Sequence, residues 1–286
     1  MLARLKNAAR EAGDNYNVIQ TRYVGLRFLH RLSRSQHADR FVLKGATLFL
    51  VWRGAMHRPT KDIDLLGAVA DDEREIETIF REIAQTEVEP DGVLFDTGSI
   101  RARSIREDKR YGGIRITLLG YIGSARVPLQ IDVGFGDAIT PGPKQVQLPT
   151  LIQGIATTTM TAYPMETAIA EKLEAMVQLG LSNSRMKDFL DLSVIASTME
   201  IDKAVLSESI RATFARRRTE LPVGLPVALT ERFWTDETVQ TRWLAFVRKN
   251  GVLPPNDDLS AVCKRIVALV EPAIEAARQD AAQDRG

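Results

Sequence analysis

The stretch Phe41-Val-Leu-Lys-Gly-Ala-Thr47, resumed after a short gap by Arg58-Pro-Thr-Lys-Asp-Ile-Asp-Leu65, decides how the chain is read. Phe41 to Lys44 is a short apolar strand stopped by Gly45. Thr47 to Trp52 can start a helix, and Pro59 ends it. Ile63, Leu65 and Leu66 then mark a second strand. In an extended chain, residues two apart point to the same side. Asp62 and Asp64 therefore project together, while Ile63 and Leu65 turn to the core. Two parallel carboxylates repel each other unless a cation lies between them. Gly45-Ala46-Thr47, where strand gives way to helix, offers small residues and backbone N–H groups to a triphosphate.

Working outward, the N-terminal stretch to about Ser35 reads as helix, from Ile19, Tyr23, Leu26 and Leu29 at helical spacing. Arg27, Arg31 and Arg34 share another of its faces, read as solvated. Asp71 to Ile83 is predicted as a helix with an acidic first turn. From Val93 to Val133 the period changes to two. Ile114, Ile116 and Leu118 alternate with Arg115 and Thr117; Val127, Leu129, Ile131 and Val133 alternate with Pro128, Gln130 and Asp132. Gly112-Gly113 and Gly123-Ser124 are predicted as turns. Asp132 is a third acid on the polar side of an apolar strand. A Gly- and Pro-rich loop runs from Gly134 to Pro149. After Tyr163-Pro164, five helical segments follow: 165–179, 184–199, 202–217, 239–250 and 259–282. The expected organisation is α+β: residues 1–160 form a mixed sheet with flanking helices, and 161–286 an all-helical domain.

Composition narrows the chemistry. The chain has 286 residues, 44% hydrophobic and 26% charged, with a formal net charge of +1. It is globular and is not a polycation as a whole. Ten of its 38 basic residues are Lys, so Arg, the better fork for phosphate, dominates. The single cysteine, Cys263, lies in an amphipathic helical pattern and reads as buried. His30, His37 and His57 are too scattered to build a metal site. Any metal should therefore have oxygen ligands, which suits Mg²⁺ or Mn²⁺. The N-terminus has no apolar signal core, and no stretch approaches the ~18 apolar residues of a membrane span. A cytoplasmic protein is expected.

Taken together, a Gly-small-Thr turn, a helix, Thr60-x-Asp62-x-Asp64 and a later strand Asp resemble the polymerase-beta-like nucleotidyltransferase pattern. Phe41–Thr47, Arg58–Leu65 and Leu129-Gln-Ile-Asp-Val133 look most like the AbiEii/AbiGii toxin family, which includes the MenT toxins of type IV-like toxin–antitoxin systems. Thr167-Ala-Ile-Ala-Glu-Lys-Leu-Glu-Ala-Met176 and Arg185-Met-Lys-Asp-Phe-Leu-Asp-Leu192 match that family's Lys-bearing and Asp-bearing helices. The likeness covers about residues 40 to 195. Ala46 departs from the usual Gly or Ser, which removes a hydroxyl from the turn.

The resemblance implies transfer of a nucleoside monophosphate from an NTP, with pyrophosphate leaving. It implies Asp62, Asp64 and Asp132 as metal ligands, with Asp132 nearer the acceptor hydroxyl. Lys172 is implied at the triphosphate, with Asp188 or Asp191 orienting it or the nucleotide; Asp188 is favoured as the catalytic one and Asp191 is placed with the nucleotide-binding residues. Gly45, Ala46, Thr47, Arg58, Thr60 and Lys61 are implied around the nucleotide, Thr60 being either a phosphate contact or a regulatory site. The implied acceptor is RNA, notably the tRNA 3′ end, and the implied partner is a cognate antitoxin. Basic residues between Arg101 and Arg115, and Arg216-Arg217-Arg218, are candidate phosphate contacts or plain solvated faces. Transfer to a small molecule or a protein, and a silent nucleotide-binding regulator, remain the competing readings.

Overall fold

The computed structural model describes residues 1–60, 62–108, 111–251 and 258–283, apart from the side chains of 106–108 and 111. The chain is α+β, with a seven-stranded mixed sheet and helices that dominate its C-terminal part. It divides into two compact units. The first comprises Met1–Gly136 and Lys144–Ala162; the second comprises Asp137–Pro143 and Tyr163–Gly286.

The first unit opens with α1 (Leu2–Ala12) and α2 (Tyr16–Arg34) rather than one continuous helix. Gly13 ends α1 in the left-handed conformation, φ 64°, and Asn15 caps α2 by accepting from the Asn17 N–H. The strands are β1 (Phe41–Lys44), β2 (Asp62–Gly67), β3 (Leu94–Asp108), β4 (Tyr111–Ile122), β5 (Ala125–Phe135), β6 (Lys144–Leu148) and β7 (Thr158–Ala162). Their order in the sheet is β3-β4-β5-β2-β1-β7-β6. Between β1 and β2, residues Gly45–Leu48 form a 3-10 turn that runs into α3 (Phe49–Arg53). After β2 comes α4 (Glu73–Gln85), capped by Asp72 accepting from the Glu75 N–H at 2.8 Å.

One face of the sheet holds the core. Ile63, Leu65, Ile114, Ile116, Ile131 and Val133 are all at most 5% exposed. Phe28 of α2 stacks on Phe80 of α4 at 5.6 Å and meets Phe95 of β3 edge-on at 5.4 Å. Helix α2 lies close to the sheet at Gly25, where a Cβ would come within 3.1 Å of Ile63 Cδ1.

Three sequence expectations change here. Arg27 and Arg31 are buried, not solvated: both donate to Asp91 Oδ2, at 2.9 and 2.7 Å. Gly112 and Gly113 are not a turn but part of β4. A Cβ at Gly113 would meet the Val133 carbonyl at 2.9 Å, so the glycine serves close strand approach. Finally, the loop predicted from 134 to 149 contains the end of β5 and all of β6, which pairs antiparallel with β7.

The second unit is built from α5 (Met165–Leu179), α6 (Met186–Thr198), α7 (Lys203–Arg217), α8 (Glu231–Trp234), α9 (Glu237–Asn250) and α10 (Leu259–Gln283). Leu173, Met176, Phe189, Leu192, Phe214 and Ile266 are at most 1% exposed and form its core. Cys263 is fully buried there, and burial pushes its thiol up to about 12, which leaves it protonated and unreactive.

Candidate functional site

Asp62 and Asp64 alternate with Ile63 and Leu65 along β2, so both lie opposite the core. Strand β5 runs parallel to β2 and sets Gln130 beside Asp62 and Asp132 beside Asp64. The three carboxylates converge: one oxygen from each lies within 4.8 Å of the others. This is the cluster the sequence pattern expected, and its donor set is all oxygen.

Gly45 explains how Asp64 gets there. Its φ is +73°, and a Cβ on it would sit 1.9 Å from Asp64 Oδ2. The glycine therefore makes room for the carboxylate as well as bending the chain. Ala46 and Thr47 are buried, 4% and 7% exposed. Ala46 thus belongs to the packing of the turn. Thr47 borders a small pocket with Thr60, Asp62, Thr21, Leu50 and Met56. The Thr60 hydroxyl donates to Asp62 Oδ1 at 3.0 Å, which orients that carboxylate. Arg58 donates to the Pro59 carbonyl at 3.4 Å. Lys61 lies outside the described residues.

The register extends the site into a row of charge. Reading across five strands, Arg103, Arg115, Asp132, Asp64 and Lys44 are successive partners. Directly paired residues share a sheet face, so two acids stand between cations. Arg115 grips Asp132 with two bonds, Nε to Oδ1 and Nη2 to Oδ2, both 2.8 Å. The sequence reading placed Arg115 in a phosphate-contacting cluster and did not connect it with Asp132. Alternation along β4 put Arg115 on the polar face, but only the β4–β5 register reveals its partner. Of the rest of that cluster, Arg101 and Arg103 are exposed. The side chains of Arg106, Lys109 and Arg110 lie outside the described residues.

In the helical unit, Lys172 on α5 is not a snorkelling surface residue. Its ammonium donates to Asp188 Oδ1 at 2.7 Å and to Asp191 Oδ2 at 2.8 Å, both carried by α6. The sequence left open which aspartate partners Lys172; both do. Asp188 and Asp191 are 1% and 0% exposed. Burial alone would raise the Asp188 carboxyl, but Lys172 and Arg185 outweigh it and hold it below the ordinary carboxylate value. Arg185, whose Nε donates to Asp188 at 2.6 Å, was absent from the expected site. Its three-residue spacing from Asp188 was the available signal.

Arg217 also departs from expectation. It is a hub rather than an open phosphate contact, donating to Asp137 and Glu174 at 2.9 Å each and lying 3.4 Å from Glu171. The Tyr163 hydroxyl donates to Glu171, and burial together with that carboxylate raises its pKa.

No described helix is long and apolar enough to cross a membrane. No curated protein matches the chain. Two solved structures share its fold. The crystal structure of JHP933 from Helicobacter pylori is 13% identical with a TM-score of 0.52, covering 94% of this chain and 96% of that one. That of a putative nucleotidyltransferase from H. pylori is 14% identical with a TM-score of 0.53, covering 92% and 96%. The family model described as "Nucleotidyl transferase AbiEii toxin, Type IV TA system" matches residues 27–279. That match spans most of the chain, which therefore belongs to the family of AbiEii nucleotidyltransferase toxins of type IV toxin–antitoxin systems.

Proposed function

We propose that the protein transfers a nucleoside monophosphate from an NTP to a hydroxyl of RNA, the tRNA 3′ end being the acceptor. The observation that carries this reading is the convergence of Asp62, Asp64 and Asp132 within 4.8 Å. Three carboxylates so close repel one another, and their all-oxygen set fits Mg²⁺ or Mn²⁺. A divalent cation held by these residues would neutralise charge on the attacking and leaving oxygens.

The chain's own groups then divide the work. Asp62 is oriented by Thr60, and Asp64 is seated against Gly45. The acceptor hydroxyl attacks the α-phosphorus, forming one P–O bond while the bond to the β-phosphate breaks. Asp132 serves the acceptor side and takes the hydroxyl proton. Pyrophosphate leaves, and Lys172 meets its charge. Asp188 and Asp191 hold the ammonium, and the depressed Asp188 keeps its own charge at neutral pH. Thr47, Arg58 and Lys61 are assigned to the nucleotide phosphates. The family's place in type IV systems supports an antitoxin that opposes this activity.

The test is incubation of purified protein with Mg²⁺, total RNA and each labelled NTP in turn, followed by sequencing of extended species. Label on tRNA 3′ ends is the expected outcome. Label confined to a small hydroxylated molecule or to protein would overturn the RNA acceptor. No label on any acceptor would favour a nucleotide-binding regulator instead.

A further inference from the structure

The Arg115–Asp132 pair sits awkwardly with a metal role for Asp132, and that tension carries the inference. Both Asp132 oxygens already accept from one guanidinium, at 2.8 Å each. A bidentate fork of this kind is among the stronger charge-assisted pairs. Asp132 is also the acid least able to move away, its side chain being 8% exposed on the middle of β5. Arg115, at 39% exposure, has solvent to swing into. Its cross-strand neighbour on the far side is Arg103. Like charges directly opposite repel, which presses Arg115 toward the acids. Gln130, the next polar residue along β5, reaches Asp132 Oδ2 only at 3.5 Å and leaves the guanidinium as the dominant partner.

We propose that Arg115 is a positioning residue that acts as a built-in counter-cation: it occupies Asp132 until a divalent cation displaces it. The exchange involves no covalent change; one positive group replaces another at the same carboxylate. Asp62 and Asp64 would then hold a first cation with Arg115 in place. Full use of Asp132 would require Arg115 to release at least one oxygen. This inference rests on the metal reading of the triad and adds to it an internal competitor.

Removing the competitor should strengthen metal binding, because a fixed positive charge a few ångströms from a divalent cation weakens it. The experiment is a Mn²⁺ titration of the purified full-length protein, read by electron paramagnetic resonance at fixed ionic strength without nucleotide. Arg115→Ala and Arg115→Gln should each bind Mn²⁺ about tenfold more tightly than the parent chain. Arg115→Lys, which keeps the charge but loses the fork, should fall between. In an Asp132→Asn background the gain from Arg115→Ala should vanish. Equal or weaker binding by Arg115→Ala and Arg115→Gln, with the parent chain binding Mn²⁺, would overturn the competitor while leaving the metal reading standing. Failure of every variant to bind Mn²⁺ in an Asp62-dependent way would overturn both.

Discussion

Gly45 and Gly54 have nearly the same backbone, φ +73° and +71°, and opposite surroundings. A Cβ at Gly45 would strike Asp64, whereas one at Gly54 meets nothing within 4 Å. Alanine at either position carries the left-handed strain of about 1–2 kcal/mol. Only Gly45→Ala should also displace the carboxylate. Nucleotidyl transfer is therefore expected to fall by about a hundredfold or more in Gly45→Ala and to survive in Gly54→Ala. Transfer rates of the two variants, beside their urea midpoints, check this. At this scale the sequence was most legible. Asp62, Asp64 and Asp132 were readable because strand alternation assigns each a polar face and the family resemblance singles out the three together. The tightness of Gly45 against Asp64 was not, since it depends on how β1 and β2 pair.

At the scale of elements, long-range ion pairs do work that local patterns hide. Arg27 and Arg31 of α2 look like a solvated stripe until Asp91, some sixty positions away, arrives between them. Val93 N–H and Arg31 also bond this carboxylate, and despite burial these contacts hold it below its ordinary value of 3.8. Asp91→Asn would strand two buried guanidinium groups, at an expected cost of about 3–5 kcal/mol, measurable by urea unfolding. In the helical unit, Lys172→Ala would remove the ammonium that Asp188 and Asp191 share while Arg185 still donates to Asp188, at an expected cost of about 3 kcal/mol. Strands β6 and β7 escaped the sequence reading for a related reason. Each is five residues long and owes its conformation to its neighbours in the sheet rather than to propensity. The long helices of the second unit, by contrast, were legible in the sequence, whereas the break at Gly13 between α1 and α2 was not.

For the whole molecule, acid is a shared weakness of both units. The Asp91 and Asp188 carboxyls are both depressed by folding. Their contribution is fully present above the unfolded value near 3.8 and is lost as pH falls through the lower folded values. Urea midpoints should therefore drop as pH falls below about 4, and Asp91→Asn should blunt the drop. The near-balanced charge of the chain, 38 basic against 37 acidic residues, takes its meaning from placement. Much of it is spent internally: on the Arg115–Asp132 fork, the Arg217 hub and the Lys172 cluster. Of the arginines read as candidate phosphate contacts, Arg101, Arg103, Arg216 and Arg218 are exposed.

The most direct test of the central claim is the rate at which label from NTP enters RNA in the presence of Mg²⁺, compared between the parent chain and Asp62→Asn. Asp62→Asn keeps the shape of the side chain and removes one of the three converging charges. A fall of about a hundredfold or more, with unchanged thermal unfolding, is the expected result. Undiminished labelling by a folded Asp62→Asn protein would contradict the assignment of this carboxylate cluster as the catalytic centre.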